Sequence, residues 1–196
     1  MTHARIKSLP TLCQQLIGQS LGTNQHGHAG RALESLLQSW GWPINRGSGP
    51  DILIFGLELK TRDLDADSAH TVTSMSLHTI LHTPYEDSMV RQKFQQQLRV
   101  FTRSGVIVDA GIFDFGRDST QIMIKEAYEH GRSQLIDAVH QGQDLPRTKY
   151  RGGYFGFFER TDADRPNTYS FRLSKGDMIT IENISRTRID EFYSFE

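Results

Sequence analysis

Between Ala29 and Trp40 the apolar residues Ala29, Ala32, Leu33, Leu36, Leu37 and Trp40 recur at intervals of three and four, the spacing that lines one face of a helix. Gly41, Trp42 and Pro43 stop it, since glycine loosens the helical backbone and proline blocks it. A preceding helix is expected from Leu9 to about Gln19, and the stretch GTNQHGHAG between the two reads as a loop. RGSGP is a turn. The period then shortens: two apolar runs, Asp51 to Phe55 and Leu57 to Thr61, meet at Gly56 and predict a bent strand or a tight hairpin. After a polar loop from Arg62 to His70, TVTSMSLH alternates and is rich in β-branched residues, as in a strand. Pro84, Glu86 and Asp87 open a further expected helix, with Val90, Phe94, Leu98 and Phe101 as its buried stripe. Gly105 to Phe115 reads as a central strand, STQIMIKEAYEHGRSQLIDAVHQG as a helix, and the tail as strands around the turn TDADRPN. The mixture points to an α/β or α+β domain with a central sheet flanked by helices.

Composition narrows the classes of function. With 196 residues and 37% hydrophobic content the chain is expected to form a single compact domain over residues 1–196. No run approaches the roughly 20 apolar residues of a membrane span. MTHARIKSLPTLCQQL lacks the charged-then-apolar order of a signal peptide, so a soluble, cytoplasmic protein without membrane partners is expected. The single Cys13 excludes an internal disulfide and a cysteine-rich zinc site. A net charge of −1 leaves the partner open, because a nucleic-acid binder needs local positive potential rather than a positive sum. Arg147, Lys149, Arg151 and Arg160 bracket the aromatic residues Tyr154, Phe155, Phe157 and Phe158, with only Glu159 opposing them. That pattern suits either a polyanion contact or the solvated edge of a strand.

The chemistry concentrates in GPDILIFGLELKT. Glu58 and Lys60 stand two apart, so a strand aims both at one face and Leu57, Leu59 and Thr61 at the other, while Asp51 begins the preceding run. Charges in a half-buried strand cost several kcal/mol each unless they are paired, bound to metal or open to a cleft. Two hard carboxylates can hold Mg²⁺, which polarises a phosphate oxygen and lowers the pKa of a bound water, and Lys60 can position that water and offset developing charge. A surface hairpin carrying a Glu–Lys ion pair fits the same spacing.

Three blocks in order, AGRALESLL, PDILIFGLELKT and SMVRQKF, resemble the MutH and MvaI branch of the PD-(D/E)xK restriction-endonuclease-like nucleases. The resemblance covers Gly18 to Phe101 and continues loosely through DAVHQGQDLPRTKYRGGYFGFFER. It implies a restriction-endonuclease-like fold and a Mg²⁺-dependent nuclease, with Mn²⁺ able to substitute, acting on double-stranded DNA. Asp51 and Glu58 match the metal-binding carboxylates, Lys60 the catalytic lysine, Glu34 a helix-borne active-site glutamate and Lys93 a second active-site lysine. By periodicity alone Glu34 and Lys93 read as solvated flank charges. Where the MutH pattern carries a DNA-reading arginine, this chain has Phe158 and Glu159, with Arg160 displaced. Arg91, Lys149, Arg151, Arg160 and Arg172 are the expected DNA contacts. A type II restriction enzyme is the first expectation, a strand-nicking repair nuclease the second, and a DNA-binding module without catalysis a third of a different class.

Other motifs carry less. His78 and His82 have the spacing of metal ligands on a helix, but their segment reads as a strand entering a turn, and no Glu completes an HExxH site. His26 and His28 lie in a glycine-rich loop, and Ser74 and Ser76 lack the context of an activated nucleophile.

Overall fold

Leu9, Leu12, Cys13 and Leu16 are all buried, which makes Leu9–Leu16 an amphipathic helix, α1, opened by Pro10 in its first turn. The second helix, α2, runs over His28–Ser39 and buries Leu33 and Leu37. Both belong to a computed structural model that describes residues 8–22, 28–45, 50–52, 55–66, 70–143, 150–152, 156–160 and 167–187. These group into two compact units, one drawn from residues up to 66, 96–114 and 186–187, the other from 70–95 and 115–185.

The first unit holds a mixed sheet of β1 (Glu58–Asp63), β3 (Gln96–Arg103) and β4 (Val106–Asp114), in the order β1-β3-β4. β1 and β3 run parallel, setting Glu58 beside Gln97 and Lys60 beside Arg99. β3 and β4 form a hairpin whose turn residues, Ser104 at φ 49 and Gly105 at φ 77, both take the left-handed backbone that a two-residue turn requires. Leu33, Leu37, Leu57, Leu59, Leu98, Val100, Ala110 and Ile112 share one buried cluster with α1, so both helices cover the leucine side of the sheet. The outer edge of β4 is not bare. Gly18 and Leu21 donate to Ile107 and Gly105, and Thr187 donates to Ile112, which spends hydrogen-bonding groups an open edge would expose.

The second unit holds an antiparallel sheet, β2 (His70–Ser76), β7 (Thr168–Leu173), β6 (Gly156–Arg160) and β5 (Tyr150–Gly152), in that order. The long helix α5 (Asp118–His140) packs on β5 and β6, and α6 is Lys175–Ser185. Tyr128 of α5 meets Phe158 and Phe171 with ring centroids 5.7 Å away in each case, the edge-on contacts aromatic quadrupoles favour. Two short helices, α3 (Leu77–His82) and α4 (Met89–Lys93), precede β3 in the chain. Arg132 holds the end of α3 by donating to the carbonyls of Ile80 and Leu81 at 2.9 and 2.7 Å. No described helix is long and apolar enough to cross a membrane.

The architecture is mixed α/β with a small mixed sheet flanked by helices, yet several elements differ from expectation. The helix expected through Phe101 ends at Lys93, and Gln96–Arg103 is a strand instead. Leu98 and Phe101 fit a helical stripe, but Gln97 through Thr102 are all buried, as only a strand covered on both faces allows. β3, not β4, is the middle strand of its sheet, and the strands form two sheets rather than one. His78 and His82 sit on a helix after all, because Ser76 caps α3 by accepting from the Thr79 N–H at 3.0 Å. Lys175–Ser185 in the tail is a helix, α6, where strands were expected. β1 extends to Asp63, two residues into the expected loop. Residues 23–27, 46–49, 67–69 and 161–166 of the expected loops and turns lie outside the described residues.

Candidate active site

The site grows from a narrow turn. Ile52 and Leu57 exchange backbone hydrogen bonds of 2.9 and 3.2 Å, and Gly56 closes the turn at φ 63, a left-handed conformation that glycine adopts without strain. Ile52 and Leu57 are both fully buried in the leucine cluster. Successive residues of paired strands face opposite sides, so the next pair outward, Asp51 and Glu58, shares the other side. Two carboxylates are thereby brought together by a turn only a few residues long. Asn45 braces the Asp51 limb, its N–H donating to the Asp51 carbonyl at 2.7 Å and its side-chain amide to the Pro50 carbonyl at 3.2 Å.

Asp51 is held by β1 itself: its Oδ2 accepts the Leu59 N–H at 2.7 Å, a charge-assisted bond. Glu58 Oε1 lies 3.0 Å from Lys60 Nζ, and the side chains are 13% and 28% exposed. The three groups expected at a phosphodiester-cleaving centre therefore stand together, half-buried rather than on an open surface. Asp51 and Glu58 fit a hard divalent cation, because Mg²⁺ takes one or two protein carboxylates and keeps several waters. Among the described residues no three His, Cys, Asp or Glu side chains converge, and Asp51 and Glu58 are the two carboxylates this turn pairs.

Two further polar residues stand on the same face, and pattern reading missed both. Gln97 and Arg99 are the β3 partners of Glu58 and Lys60; they are 1% and 2% exposed, and Arg99 Nε donates to Gln97 Oε1 at 2.8 Å. The signal was present in QQLRVFTR as a second polar-x-polar pair, but it is readable only once the segment is taken as a strand. On the far side of β3, Arg99 faces Gly111 across the ladder. Lacking a side chain, Gly111 leaves room for the Arg186 guanidinium, which binds both oxygens of Asp109 at 2.8 and 2.7 Å.

The remaining candidates lie on other elements. Glu34 is half-buried on α2, which covers the leucine side of β1, and among the described residues it makes no ion pair or hydrogen bond with Asp51, Glu58 or Lys60. Lys93 is half-buried in the last turn of α4, in the second unit, four residues along the chain from Gln97. Arg91 is exposed on the same helix, its guanidinium 3.4 Å from Glu86, whose other oxygen is 2.7 Å from Lys125 Nζ. The Lys125 hydrogen bond holds the Glu86 carboxyl below the usual carboxylate range. These groups line a cleft of about 430 Å³ whose cations, Arg91 and Lys125, are matched by Glu86 and Asp118. Arg172 is half-buried on β7, Arg151 and Arg160 lie on β5 and β6, and Lys149 is outside the described residues. Phe158, standing where the resembled pattern has a DNA-reading arginine, is fully buried against Tyr128 and Phe171. No protein-family model matches the chain, and no curated protein matches it.

Proposed function

We propose that the chain is a Mg²⁺-dependent DNA endonuclease of the PD-(D/E)xK class, with a restriction-endonuclease-like fold, cutting double-stranded DNA at a specific sequence as type II restriction enzymes do. The observation that carries this reading is the pairing of Asp51 and Glu58 on one side of the Ile52–Leu57 turn, with Lys60 Nζ 3.0 Å from Glu58. A metal bound there would polarise the scissile phosphate and make its water a stronger acid. Asp51 and Glu58 would hold the cation between them, Asp51 kept in place by the Leu59 N–H. Lys60, on the same strand face as Glu58, would donate a hydrogen bond to a non-bridging phosphate oxygen or to the attacking water, offsetting charge as it develops. Arg91, Arg151, Arg160 and Arg172 are the reading's candidates for phosphate contact.

Supercoiled plasmid incubated with the purified protein tests it directly. Cleavage should need Mg²⁺ or Mn²⁺, fail in Ca²⁺ alone, and vanish in Glu58→Ala while DNA binding persists. Binding without cleavage under every metal would leave a DNA-binding module, and neither would make the Glu–Lys pair an ordinary ion pair.

A further inference from the structure

We propose that Arg99 is a positioning residue for Glu58, and that Gln97 aims its guanidinium. Arg99 is 2% exposed on the middle strand of its sheet. A guanidinium cannot lose its charge at any physiological pH, and burying it costs several kcal/mol unless a counter-charge lies close. Within this unit the described carboxylates on its side of the sheet are Asp51, Glu58 and Asp109. Asp109 is engaged at both oxygens by Arg186, and Asp51 belongs to the limb that pairs with Leu57, not to a strand paired with β3.

Geometry selects Glu58 among them. Leu98 and Val100 face the leucine cluster, so Gln97 and Arg99 face the side occupied by Glu58 and Lys60. The register places Arg99 beside Lys60, which would oppose two cations if the guanidinium stood straight out. It does not: the Nε bond to Gln97 turns the side chain back along β3, to the level of Gln97, whose partner across the ladder is Glu58. Diagonal neighbours of this kind are within reach of long side chains. Glu58 thus stands between Lys60 on its own strand and Arg99 on the next. One cation is partly exposed, where substrate could draw it away, and the other is buried. Arg99 restrains the carboxylate whichever way Lys60 turns.

The inference rests on the nuclease reading for its catalytic consequence, and its test separates the two. A double-mutant cycle in urea denaturation compares Arg99→Met in the natural background and in Glu58→Gln. The unfolding constant should rise by about tenfold more when Glu58 is present, because only then is a buried carboxylate left without its cation. Additive effects overturn the proposal. Should Arg99→Met not fold, Arg99→Lys enters the same cycle with the same requirement of non-additivity. In single-turnover DNA cleavage, Arg99→Met should be slower by about tenfold or more with affinity for DNA within about twofold, since a buried side chain makes no groove contact. Arg99→Lys should recover part of the rate. A folded Arg99→Met that cuts at the natural rate also overturns the positioning role. If the natural protein cuts nothing, the nuclease reading falls and the cycle alone decides the Arg99–Glu58 pairing.

Discussion

On the proposed reading Asp51 has two roles that a pair of substitutions can pull apart. Its Oδ2 accepts the Leu59 N–H at 2.7 Å, and its charge would help hold the metal. Asp51→Ala removes both and leaves a part-buried N–H at the start of β1 without its acceptor. Such a loss costs about 1–3 kcal/mol, and partial access of water here places it near about 1.5 kcal/mol. For a protein of this size that is a fall in Tm of about 3–6 °C. Asp51→Asn keeps the shape and an oxygen that can still accept from Leu59, so it should hold most of that stability. The charge that would help hold the metal is gone in both variants. Cleavage should therefore fall by about a hundredfold or more in each, beyond the 10–100-fold typical when a group merely behind a metal ligand is removed.

Fluorescence of the buried Trp42, which belongs to the same core cluster as Ile52 and Leu57, reports the melting transition, and conversion of supercoiled plasmid reports chemistry. Binding to DNA in Ca²⁺ serves as the control. The decisive comparison is Asp51→Asn. If it cuts within about threefold of the natural rate, the carboxylate is only a strand clamp and the metal assignment is wrong. If Asp51→Ala melts with Asp51→Asn, the Leu59 bond contributes nothing and the account of how the turn is pinned is wrong.

Gly111→Ala would set a methyl 3.3 Å from both the Arg186 guanidinium and the Phe113 ring, so a loss of about 1–3 kcal/mol is expected in urea denaturation; an unchanged midpoint would show that Arg186 moves aside freely. Burial pushes the Cys13 thiol from 9.0 to about 11, so its contribution is whole below pH 9 and is lost as pH rises from 9 towards 11, when the unfolded thiol ionises first. Stability of the natural protein should accordingly fall more steeply than that of Cys13→Ala between pH 8.5 and 10.5, by up to about 2 kcal/mol, and equal slopes would refute it. Lys93→Ala should slow cleavage strongly with folding intact, whereas Arg91→Ala should mainly weaken DNA binding; natural cleavage by Lys93→Ala would return that lysine to the solvated surface. Affinity measured over a salt series should drop for Arg151→Ala, Arg160→Ala and Arg172→Ala, with the salt slope reduced by about one unit for each of these arginines that neutralises a phosphate. Natural binding by all three at every salt concentration would place DNA engagement elsewhere.

What the sequence disclosed was local. α2 was legible to within a residue because its stripe, its glycine stop and its proline all lie within a dozen positions. The Asp51–Lys60 turn was legible for the same reason, its chemistry and its bend being neighbours in the chain. The long α5 was recognised as well. Elements set by distant partners were not. Lys175–Ser185 became a helix with Met178 and Ile181 buried, although its β-branched residues suit a strand equally. The capped turn that makes α3 a helix depends on Ser76, a residue that reads as strand by propensity. Glu34 and Lys93 show the limit from the other side. Their assignment to the site came from resemblance, and periodicity alone reads both as flank charges.

The error at β3 and the omission of Arg99 have one cause. Polar residues between apolar ones are ordinarily read as facing water, an inference that holds when one face of a strand or helix is solvated. In Gln96–Arg103 it fails, because Gln97, Arg99 and Thr102 are buried beside Leu98, Val100 and Phe101. With both faces covered, the remaining apolar spacing happens to suit a helix, and the polar residues look like that helix's wet side. A buried guanidinium, however, is tolerated only where something of opposite charge compensates it. The feature that conceals Arg99 from pattern reading is thus the one that ties it to a carboxylate, and its bond to Gln97, the register partner of Glu58, points to which one. Had β3 been recognised as a covered strand, QxR would have stood out as ExK does: two charge-bearing pairs on adjacent strands, each too costly to bury alone.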